Sequence, residues 1–511
     1  MLVALLTAIL SLPARKRPRL RTAVSVGGAA AYAAVVAVLA LRVFPDGVLV
    51  YTLGGWQAPF GIVLVADALS AFMLVLSALV AVPAAAFAAR YVDETGQRVS
   101  FHALFHFMLL GVAGSFLTGD VFNLFVWFEV MLMASYVLVV LYGGAEHTRA
   151  AMRYVVLNLI ASAVMLVAIG GLYARLGTLN MADMARRLAD PAAYGVDPAP
   201  VLGISALLFA VFALKAGMVP FQFWVPDAYR AAPAPVTAML AGVVKKVGVY
   251  AIIRLYFTVF AAAEIGVSLP FLGGDSPLAF FGPVLFVMAA ASILFGGIGA
   301  VARDDVDGLL AYSSISQVGF IALPLAVGAA AAGVRSLALA AALVYALNHA
   351  VAKGLLFLVS GAVSDATGTD ELGNLGGLAA STPVVAATFL VGALAMIGIP
   401  PLSGFFGKLL VFDAAARAGD VVALAVALGG ALLTITYMSR GWNRAFWGAP
   451  TPLVSRATPD PVLVAIVAAL ALVVVALGVG FDPVFRFATA AGDAALARDA
   501  YVGAVFGGGG A

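Results

Sequence analysis

Residues 210–229 read Ala-Val-Phe-Ala-Leu-Lys-Ala-Gly-Met-Val-Pro-Phe-Gln-Phe-Trp-Val-Pro-Asp-Ala-Tyr and overlap the end of an apolar block at 201–225. The stretch places Lys215 and Pro220 inside a segment long enough to cross a bilayer. Proline removes a backbone hydrogen bond and breaks a helix. Freed backbone groups are tolerated at membrane depth only where they face protein or a wet cavity. The stretch therefore predicts a membrane helix that is broken at Pro220, with the break facing protein or a wet cavity.

A second apolar block, at 383–415, contains the same kind of interruption. It reads Gly-Ile-Pro-Pro-Leu-Ser-Gly over 398–404, with prolines at Pro400 and Pro401, and Lys408 follows. The two breaks lie about 180 residues apart, which corresponds to roughly five spans. An odd number of crossings inverts the next unit, and inverted repeats with broken helices are typical of transporters. We therefore expect two inverted five-helix repeats; two incidental proline kinks are the alternative.

The composition places the chain in a membrane. Of its 511 residues, 64% are hydrophobic and 10% are charged, and the mean hydropathy is +1.10. A soluble domain carries about 25% charged residues, so a soluble protein, a disordered protein and a nucleic-acid binder are excluded. At about 20 residues per span, we expect an all-α polytopic membrane protein with about 14 transmembrane helices. Because the chain contains no cysteine, disulfides and thiolate-held iron–sulfur clusters are excluded.

The order of apolar and basic residues predicts the topology. The first thirteen residues are apolar and precede a basic cluster at 15–21, which places the N-terminus outside by the positive-inside rule. The predicted organisation is a single transmembrane domain over 1–511. It comprises N-terminal spans at 1–100, a first repeat at 101–260, a second repeat at 279–447, and a C-terminal span and tail at 461–511.

Lysines are concentrated in the predicted spans. The chain has 28 basic residues but only six lysines, and five of these lie within apolar segments: Lys215, Lys245, Lys246, Lys353 and Lys408. A charge there costs about 2.5–3.5 kcal/mol on insertion scales. Arginine does not release its proton in proteins, whereas a dehydrated lysine does. We therefore interpret Lys215 and Lys408, beside the two breaks, as proton-carrying groups. For Lys245, snorkelling to the membrane interface remains an alternative.

Glu129 and His349 are the other candidate proton carriers. Glu129 is the only glutamate well inside a predicted span, and with Lys215 it is a candidate switchable ion pair. His349 and Lys353 are four residues apart, which places both on one helix face. Histidine titrates near neutral pH, so this pair is suited to handing on protons.

Several other polar residues have less specific interpretations. His102 and His106 share a helix face, and we interpret them as structural. For Asp120 and Asp304, at span ends, we favour an interfacial or helix-capping role. Ser313, Ser314, Ser316 and Gln317 form a polar run that either lines a water chain or joins helices. The sequence contains no phosphate-binding glycine loop, nucleophile elbow or zinc motif.

Six stretches of the sequence resemble a known family: 119–130, 212–229, 234–238, 246–250, 310–317 and 347–353. They are similar to the proton-pumping, antiporter-like subunits shared by respiratory NADH–quinone oxidoreductase and the multisubunit Mrp-type Na⁺/H⁺ antiporter. The branch that the chain resembles most is the D-type subunit of the Mrp antiporter. Tyr229 suits that branch, because a histidine is expected at its position in the oxidoreductase subunits.

The resemblance implies a function and a path. The chain would be the proton-translocating subunit of a Na⁺/H⁺ antiporter, a secondary transporter rather than an enzyme, in a bacterial cell membrane. It would have no organic cofactor, and its partners would be an A-type homologue and small membrane subunits. Half-channels around the two broken helices would be joined by a midplane axis, which falls on Glu129, Lys215, Lys246, His349, Lys353 and Lys408. Lys245 has no role in the family.

Two alternatives remain open on the sequence alone. The first is a proton-pumping membrane subunit of NADH–quinone oxidoreductase, and the second is an inert membrane scaffold. The sequence does not distinguish Na⁺ from Li⁺ or K⁺, and it does not indicate a metal site, the exchange stoichiometry or where the sodium ion crosses.

Overall fold

The computed structural model describes residues 1–265, 267–269, 272–274 and 276–507, so the last four residues of the predicted C-terminal region lie outside the described residues. Most of this chain is helical. The helices are α1 Leu2–Ala14, α2 Pro18–Asp46, α3 Ala68–Tyr91, α4 Glu94–Arg98, α5 Phe101–Leu117, α6 Val121–Val139, α7 Gly144–Leu176, α8 Met181–Ala189, α9 Ala199–Ala216, α10 Trp224–Ala231, α11 Ala234–Met239, α12 Lys246–Ile252, α13 Pro277–Val301, α14 Val306–Ala330, α15 Arg335–Thr367, α16 Leu378–Ser381, α17 Pro383–Ile397, α18 Ser403–Arg417, α19 Val421–Ala445, α20 Pro461–Val479, α21 Phe481–Leu496 and α22 Arg498–Gly507.

Two short antiparallel hairpins join some of these helices. The strands are β1 Leu49–Thr52, β2 Val63–Ala66, β3 Val267–Leu269 and β4 Leu272–Gly274. β1 pairs with β2, with Leu49 opposite Ala66, and β3 pairs with β4. The first hairpin leads directly into α3, whose first turn is capped by Asp67. The hairpins are therefore short connections, and the protein is an all-α polytopic membrane protein, as the composition predicts.

Among the described residues, eleven helices are long and apolar enough to cross a membrane, and α1, α5 and α17 are shorter apolar helices. The segments at the centre are less apolar than those at the periphery. In the most apolar 18 residues of Ala332–Thr367 the mean hydropathy is 1.6, and all of these residues are buried. In the corresponding window of Pro461–Val479 the mean hydropathy is 3.2, and only 33% of the residues are buried. Because the central helices are shielded by protein, they accommodate polar side chains that a lipid-facing helix would not.

The helix that contains α11 and α12 is irregular. Turns of π-helix at Leu240–Val244 and Ile253–Val259 interrupt it, and the backbone N–H of Lys245 donates to the carbonyl of Leu240 at 3.3 Å. A π-turn adds one residue to the local repeat and frequently marks a functional site. Its effect here is to place Lys245 and Lys246 at the start of α12, both fully buried.

Acidic residues at helix starts have two different roles. Asp120 caps α6 by accepting from the backbone N–H of Asn123 at 2.7 Å, as predicted. Asp304 does not cap α14, because Asp305 does so. Instead, Arg444 and Arg440 donate to the Asp304 carboxylate at 2.6 and 2.7 Å and hold its pKa below the usual range. This exposed aspartate therefore links the α13–α14 turn to the end of α19.

The C-terminal region contains more helix than the sequence predicts. One span and a tail are predicted for 461–511, but α21 and α22 follow the span formed by α20. α21 packs against α15 and α3, and its Ala488 and Ala491 are fully buried. The predicted tail is therefore a continuation of the helical fold.

A buried ion pair joins two distant spans. Arg254 donates to Asp67 at 2.5 Å, and the two side chains are only 1% and 2% exposed. The guanidinium also lies 4.8 Å from the ring centroid of Tyr501 in α22. This pair was not predicted from the sequence, although an arginine within a long apolar stretch was the signal for it. Arginine is therefore not confined to loops.

Candidate functional site at the two broken helices

The first break separates α9 from α10. α9 ends at Ala216, and Gly217 follows with φ +71°, which favours glycine. The freed carbonyl of Leu214 accepts the indole N–H of Trp224 at 2.9 Å, and the backbone N–H of Val219 donates to the hydroxyl of Ser292 at 2.9 Å. Side chains therefore satisfy the backbone groups that the break exposes, as the membrane interior requires.

The second break, between α17 and α18, has the same order of residues. Gly398, with φ +94°, follows the end of α17; it lies three residues before Pro401, as Gly217 lies three before Pro220. The ammonium of Lys408 donates to the carbonyl of Ile397 at 3.0 Å. A cation is favourable at a helix C-terminus because it faces unpaired carbonyls.

Lys215 lies on the last turn of α9 and is almost completely buried. Its ammonium donates to the Tyr154 hydroxyl at 3.3 Å and faces the rings of Tyr154 and Trp224, at 5.5 and 5.7 Å from their centroids. Tyr154 in turn lies 3.0 Å from the hydroxyl of Ser135. Tyr154 was not predicted from the sequence, because it carries no charge and nothing next to it in α7 indicates its partners.

Glu129 lies on α6 and is half-buried. Its carboxylate accepts a hydrogen bond from Ser162 on α7. In the part of the chain that the structure describes, Glu129 and Lys215 form no direct ion pair. The predicted pair is therefore indirect: Ser162 and Tyr154, which contact one member each, lie on the same helix eight residues apart.

The centre of the site joins the two halves of the chain. The ammonium of Lys246 lies 2.6 Å from the Nδ1 atom of His349 and donates to the carbonyl of Ala241 at 2.6 Å. His349 is fully buried, and its Nε2 atom finds no hydrogen-bond partner among the described residues. Lys246 belongs to the first predicted repeat and His349 to the second, so this contact connects the repeats.

A hydrogen-bonded network extends from Lys353 along α14. Lys353 donates to the carbonyl of Leu310 and to the hydroxyl of Ser313, both at 2.8 Å. Ser313 donates to the Tyr437 hydroxyl at 3.0 Å, and Gln317 donates to the same hydroxyl at 2.7 Å. The polar run of α14 thus continues away from Lys353 through Tyr437, a residue of α19 that was not predicted from the sequence.

The four polar residues of α14 make different kinds of contact. Ser313 and Gln317 belong to the network, and Gln317 also accepts from Tyr345. Ser316 donates to the carbonyl of Ile293 on α13 at 3.0 Å, which joins two helices. Ser314 donates to the carbonyl of Leu310 one turn earlier in its own helix. α14 therefore contributes both to a hydrogen-bonded network of side chains and to a contact that joins it to α13.

The remaining histidines lie apart from the lysines. His102 and His106 of α5 both contact the hydroxyl of Ser25 in α2, at 2.8 and 3.1 Å. His147 contacts the carbonyl of Ala231 at 2.9 Å. These contacts fit the structural interpretation of His102 and His106. The described residues contain no group of three or more His, Cys, Asp or Glu side chains that could hold a metal ion.

Comparison with known proteins identifies the family. Residues 118–434 match the family described as NADH:quinone oxidoreductase/Mrp antiporter, TM. This is more than half of the chain, and the matched region contains all six residues of the predicted axis. The chain therefore belongs to this family of membrane subunits.

Three relatives show which branches are similar. The chain is 37% identical to the D-type subunit of the Na(+)/H(+) antiporter of Alkalihalophilus pseudofirmus over 91% of this chain and 90% of the relative. It is 39% identical to the N-type subunit of the NADH-quinone oxidoreductase of Desulforudis audaxviator over 80% and 78%, respectively. Among solved structures, it is similar to a chain of the Mrp complex from Dietzia sp. DQ12-45-1b, with a TM-score of 0.85, 30% identity, and 99% and 98% coverage.

Proposed function

We propose that the chain is the proton-translocating, D-type subunit of a multisubunit Na⁺/H⁺ antiporter. The observation that carries this proposal is the buried contact between Lys246 of α12 and His349 of α15, because it links the two halves of the chain, each of which has a broken helix with a buried lysine. The likeness to a D-type antiporter subunit over nine-tenths of both chains supports it. The chain is then a secondary transporter subunit and not an enzyme.

The proposed path follows the buried polar residues. Glu129 sets the electrostatic environment of Lys215 and gates the first step. Protons pass from Lys215 to Lys246, then to His349 and Lys353, and leave past Lys408. Tyr154 holds Lys215 in place, and the network through Ser313, Gln317 and Tyr437 extends from Lys353 on the side of α19. Each lysine alternates between its charged and neutral forms, which arginine does not do.

The proposed topology has fourteen crossings, of which ten form two inverted five-helix repeats. The eleven long helices and three shorter apolar helices of the described chain support this number. The matching Gly-x-x-Pro order at the two breaks supports the repeats, with the boundaries 101–260 and 279–447. The exposed basic residues Arg15, Lys16 and Arg17 between α1 and α2 support an N-terminus on the outside.

The proposed setting is the bacterial plasma membrane, in a complex with an A-type homologue and small membrane subunits. Several long helices expose apolar residues to which such neighbours can bind. In the most apolar window of Pro18–Phe44, for example, only 22% of the residues are buried. Sodium export would be driven by the proton gradient across the whole complex. A charge that crosses 100 mV gains about 2.3 kcal/mol, so electrogenic exchange is able to drive export.

A second function is a proton-pumping subunit of NADH–quinone oxidoreductase, which the likeness to the N-type subunit of that enzyme favours. Deletion of the gene separates the two functions. For the antiporter, we expect cells that become sensitive to sodium, especially at alkaline pH, with unchanged NADH–quinone oxidoreductase activity in their membranes. A strain that tolerates sodium normally but loses NADH-driven proton pumping would refute the antiporter assignment. A strain that changes in neither respect would favour an inert scaffold.

A further inference from the structure

Lys245 occupies a position that the proposed path does not use. It is fully buried between the π-turn at Leu240–Val244 and α12, so the predicted alternative of snorkelling to an interface does not hold. The ammonium of Lys245 donates to the carbonyl of Ser314 on α14 at 3.0 Å, whereas the neighbouring Lys246 contacts His349. The two adjacent lysines therefore contact different helices.

One side of Lys245 faces the first break. Its Nζ atom lies 3.6 Å from the position that a Cβ atom on Gly217 would occupy. Gly217 ends α9 and follows Lys215 by two residues, so the amine lies at the C-terminus of a half-helix, where a cation is favourable. Lys408 has the corresponding position in the second break, with its Cδ atom 3.2 Å from the equivalent point on Gly398.

The other side of Lys245 faces the α14 turn that Lys353 contacts. Lys245 donates to the carbonyl of Ser314, and Lys353 donates to the hydroxyl of Ser313 and the carbonyl of Leu310. Two amines thus contact the same turn of α14, one from the start of α12 and one from α15. Lys245, which lies between the first break and this turn of α14, therefore connects the two predicted repeats.

Lys245 is surrounded by groups from α10, α14, α15 and its own segment. Tyr229 of α10 has its ring centroid 5.9 Å from the ammonium, and its buried hydroxyl lacks a hydrogen-bond partner in the described chain. α14 contributes the main-chain carbonyl of Ser314. The charged or titratable neighbours on the remaining elements are Lys246 on its own segment, and His349 and Lys353 on α15.

We infer that Lys245 is a further proton-carrying lysine, which passes protons from the first break to the amine of Lys353 on the second repeat. In this step one N–H bond breaks on the Lys245 ammonium and one forms on the neutral amine of Lys353, so no other reactant is needed. The inference rests on the proposed function and adds a residue to its path.

The test measures Na⁺-induced proton release in everted vesicles that contain the complete antiporter, over a range of pH. The variants are Lys245→Met, Lys245→Arg and Lys245→His, with Lys16→Met as the matched control at an exposed lysine. A positioned proton-transfer group contributes roughly 10²–10⁴-fold, so we expect Lys245→Met to lower the rate by about tenfold or more. Lys245→Arg should lose as much, because arginine holds its proton. Lys16→Met should transport like the wild type.

The histidine variant separates proton transfer from a structural role. Histidine titrates near pH 6.5, so Lys245→His should recover part of the transport, with its optimum at lower pH than the wild type. Equal rates in Lys245→Arg and the wild type would show that a fixed charge suffices, and would overturn the inference. Wild-type transport in Lys245→Met would also overturn it.

Two controls keep these outcomes separate. Rates are expressed per assembled complex, measured by co-purification of the partner subunits, so that poor assembly of one variant is distinguished from slow transport. If Lys245→Met does not assemble, the transport rate of Lys245→Arg and the pH optimum of Lys245→His test the inference by the same criteria. If the wild-type vesicles show no exchange at all, the proposed function fails, and not only the inference about Lys245.

Discussion

At the scale of single residues, the protein uses lysine and arginine for different purposes. Lys215, Lys246 and Lys353 are buried and bonded to neutral partners. Arg254, a buried arginine eight residues after Lys246, is instead bonded to the carboxylate of Asp67. A permanent charge is therefore neutralised by a partner, whereas the lysines are left able to change their charge.

This difference leads to a prediction for Lys215. We expect Lys215→Arg to abolish Na⁺-induced proton release in everted vesicles while the complex still assembles, because arginine keeps the charge but does not release the proton. The assay is run beside an assembly measurement by co-purification. Release at the wild-type rate would exclude a proton-carrying role for Lys215.

Glu129 gives a second prediction at this scale. We expect Glu129→Gln to reduce transport or to move its pH profile to lower pH, since the neutral amide no longer favours the protonated lysine nearby. Glu129→Asp serves as the matched variant and should be milder, because it keeps the charge. If the profile of Glu129→Gln is the same as that of the wild type, the two residues are not coupled.

At the scale of helices, the breaks depend on close backbone contacts. α18 begins against the end of α17, where a Cβ atom on Gly404 would lie 1.7 Å from the carbonyl oxygen of Ala395. Backbone atoms do not rotate away as a side chain does, so glycine is required at this position. The geometry around the second break is therefore held by the main chain as well as by Lys408.

Substitution of this glycine gives a third prediction. We expect Gly404→Ala to lower the thermal unfolding midpoint of the purified complex, with a cost of about 1–3 kcal/mol or more for overpacking. The control is Gly429→Ala in α19, where no described atom lies within 4 Å of the added carbon. Equal midpoints for the two variants would mean that the α17–α18 contact adapts without cost.

How much of this arrangement the sequence could predict depends on the range of the interactions. The breaks were recognisable because proline and glycine act on their own backbone, and the lysines because their burial is costly wherever they lie. The contact of Lys246 with His349 was not, because it spans 103 residues and depends on helix packing. Tyr154 and Tyr437 were missed for a related reason: an uncharged tyrosine in an apolar block carries no local sign of its partner.

At the scale of the whole molecule, the chain has the character of one member of a larger assembly. Its centre is shielded by protein, since the most apolar windows of the segments Ala234–Ala262 and Ala332–Thr367 are fully buried within the chain. Its periphery nevertheless exposes apolar helices such as α2 and α20, which lipid or neighbouring subunits cover. The proton path and the sodium path therefore need not lie in the same polypeptide.

The fourth prediction concerns this division. We expect the chain produced without its partner subunits to insert into the membrane but to give no Na⁺-dependent proton release, and the full set of subunits to restore it. The measurement uses matched everted vesicles with equal amounts of the chain. Sodium-dependent release by the chain alone would place the complete exchange machinery within these 511 residues.

The ion pair of Arg254 and Asp67 has a consequence for evolution. Removal of one partner leaves an uncompensated charge in the interior, which costs about 3–5 kcal/mol, whereas replacement of both by apolar residues of similar volume is often neutral. Neither position is therefore free to change alone. Among homologous sequences the two sites should covary, with most lineages keeping both charges and the others having lost both, and Tyr501 should change more freely in the lineages that have lost the arginine it covers.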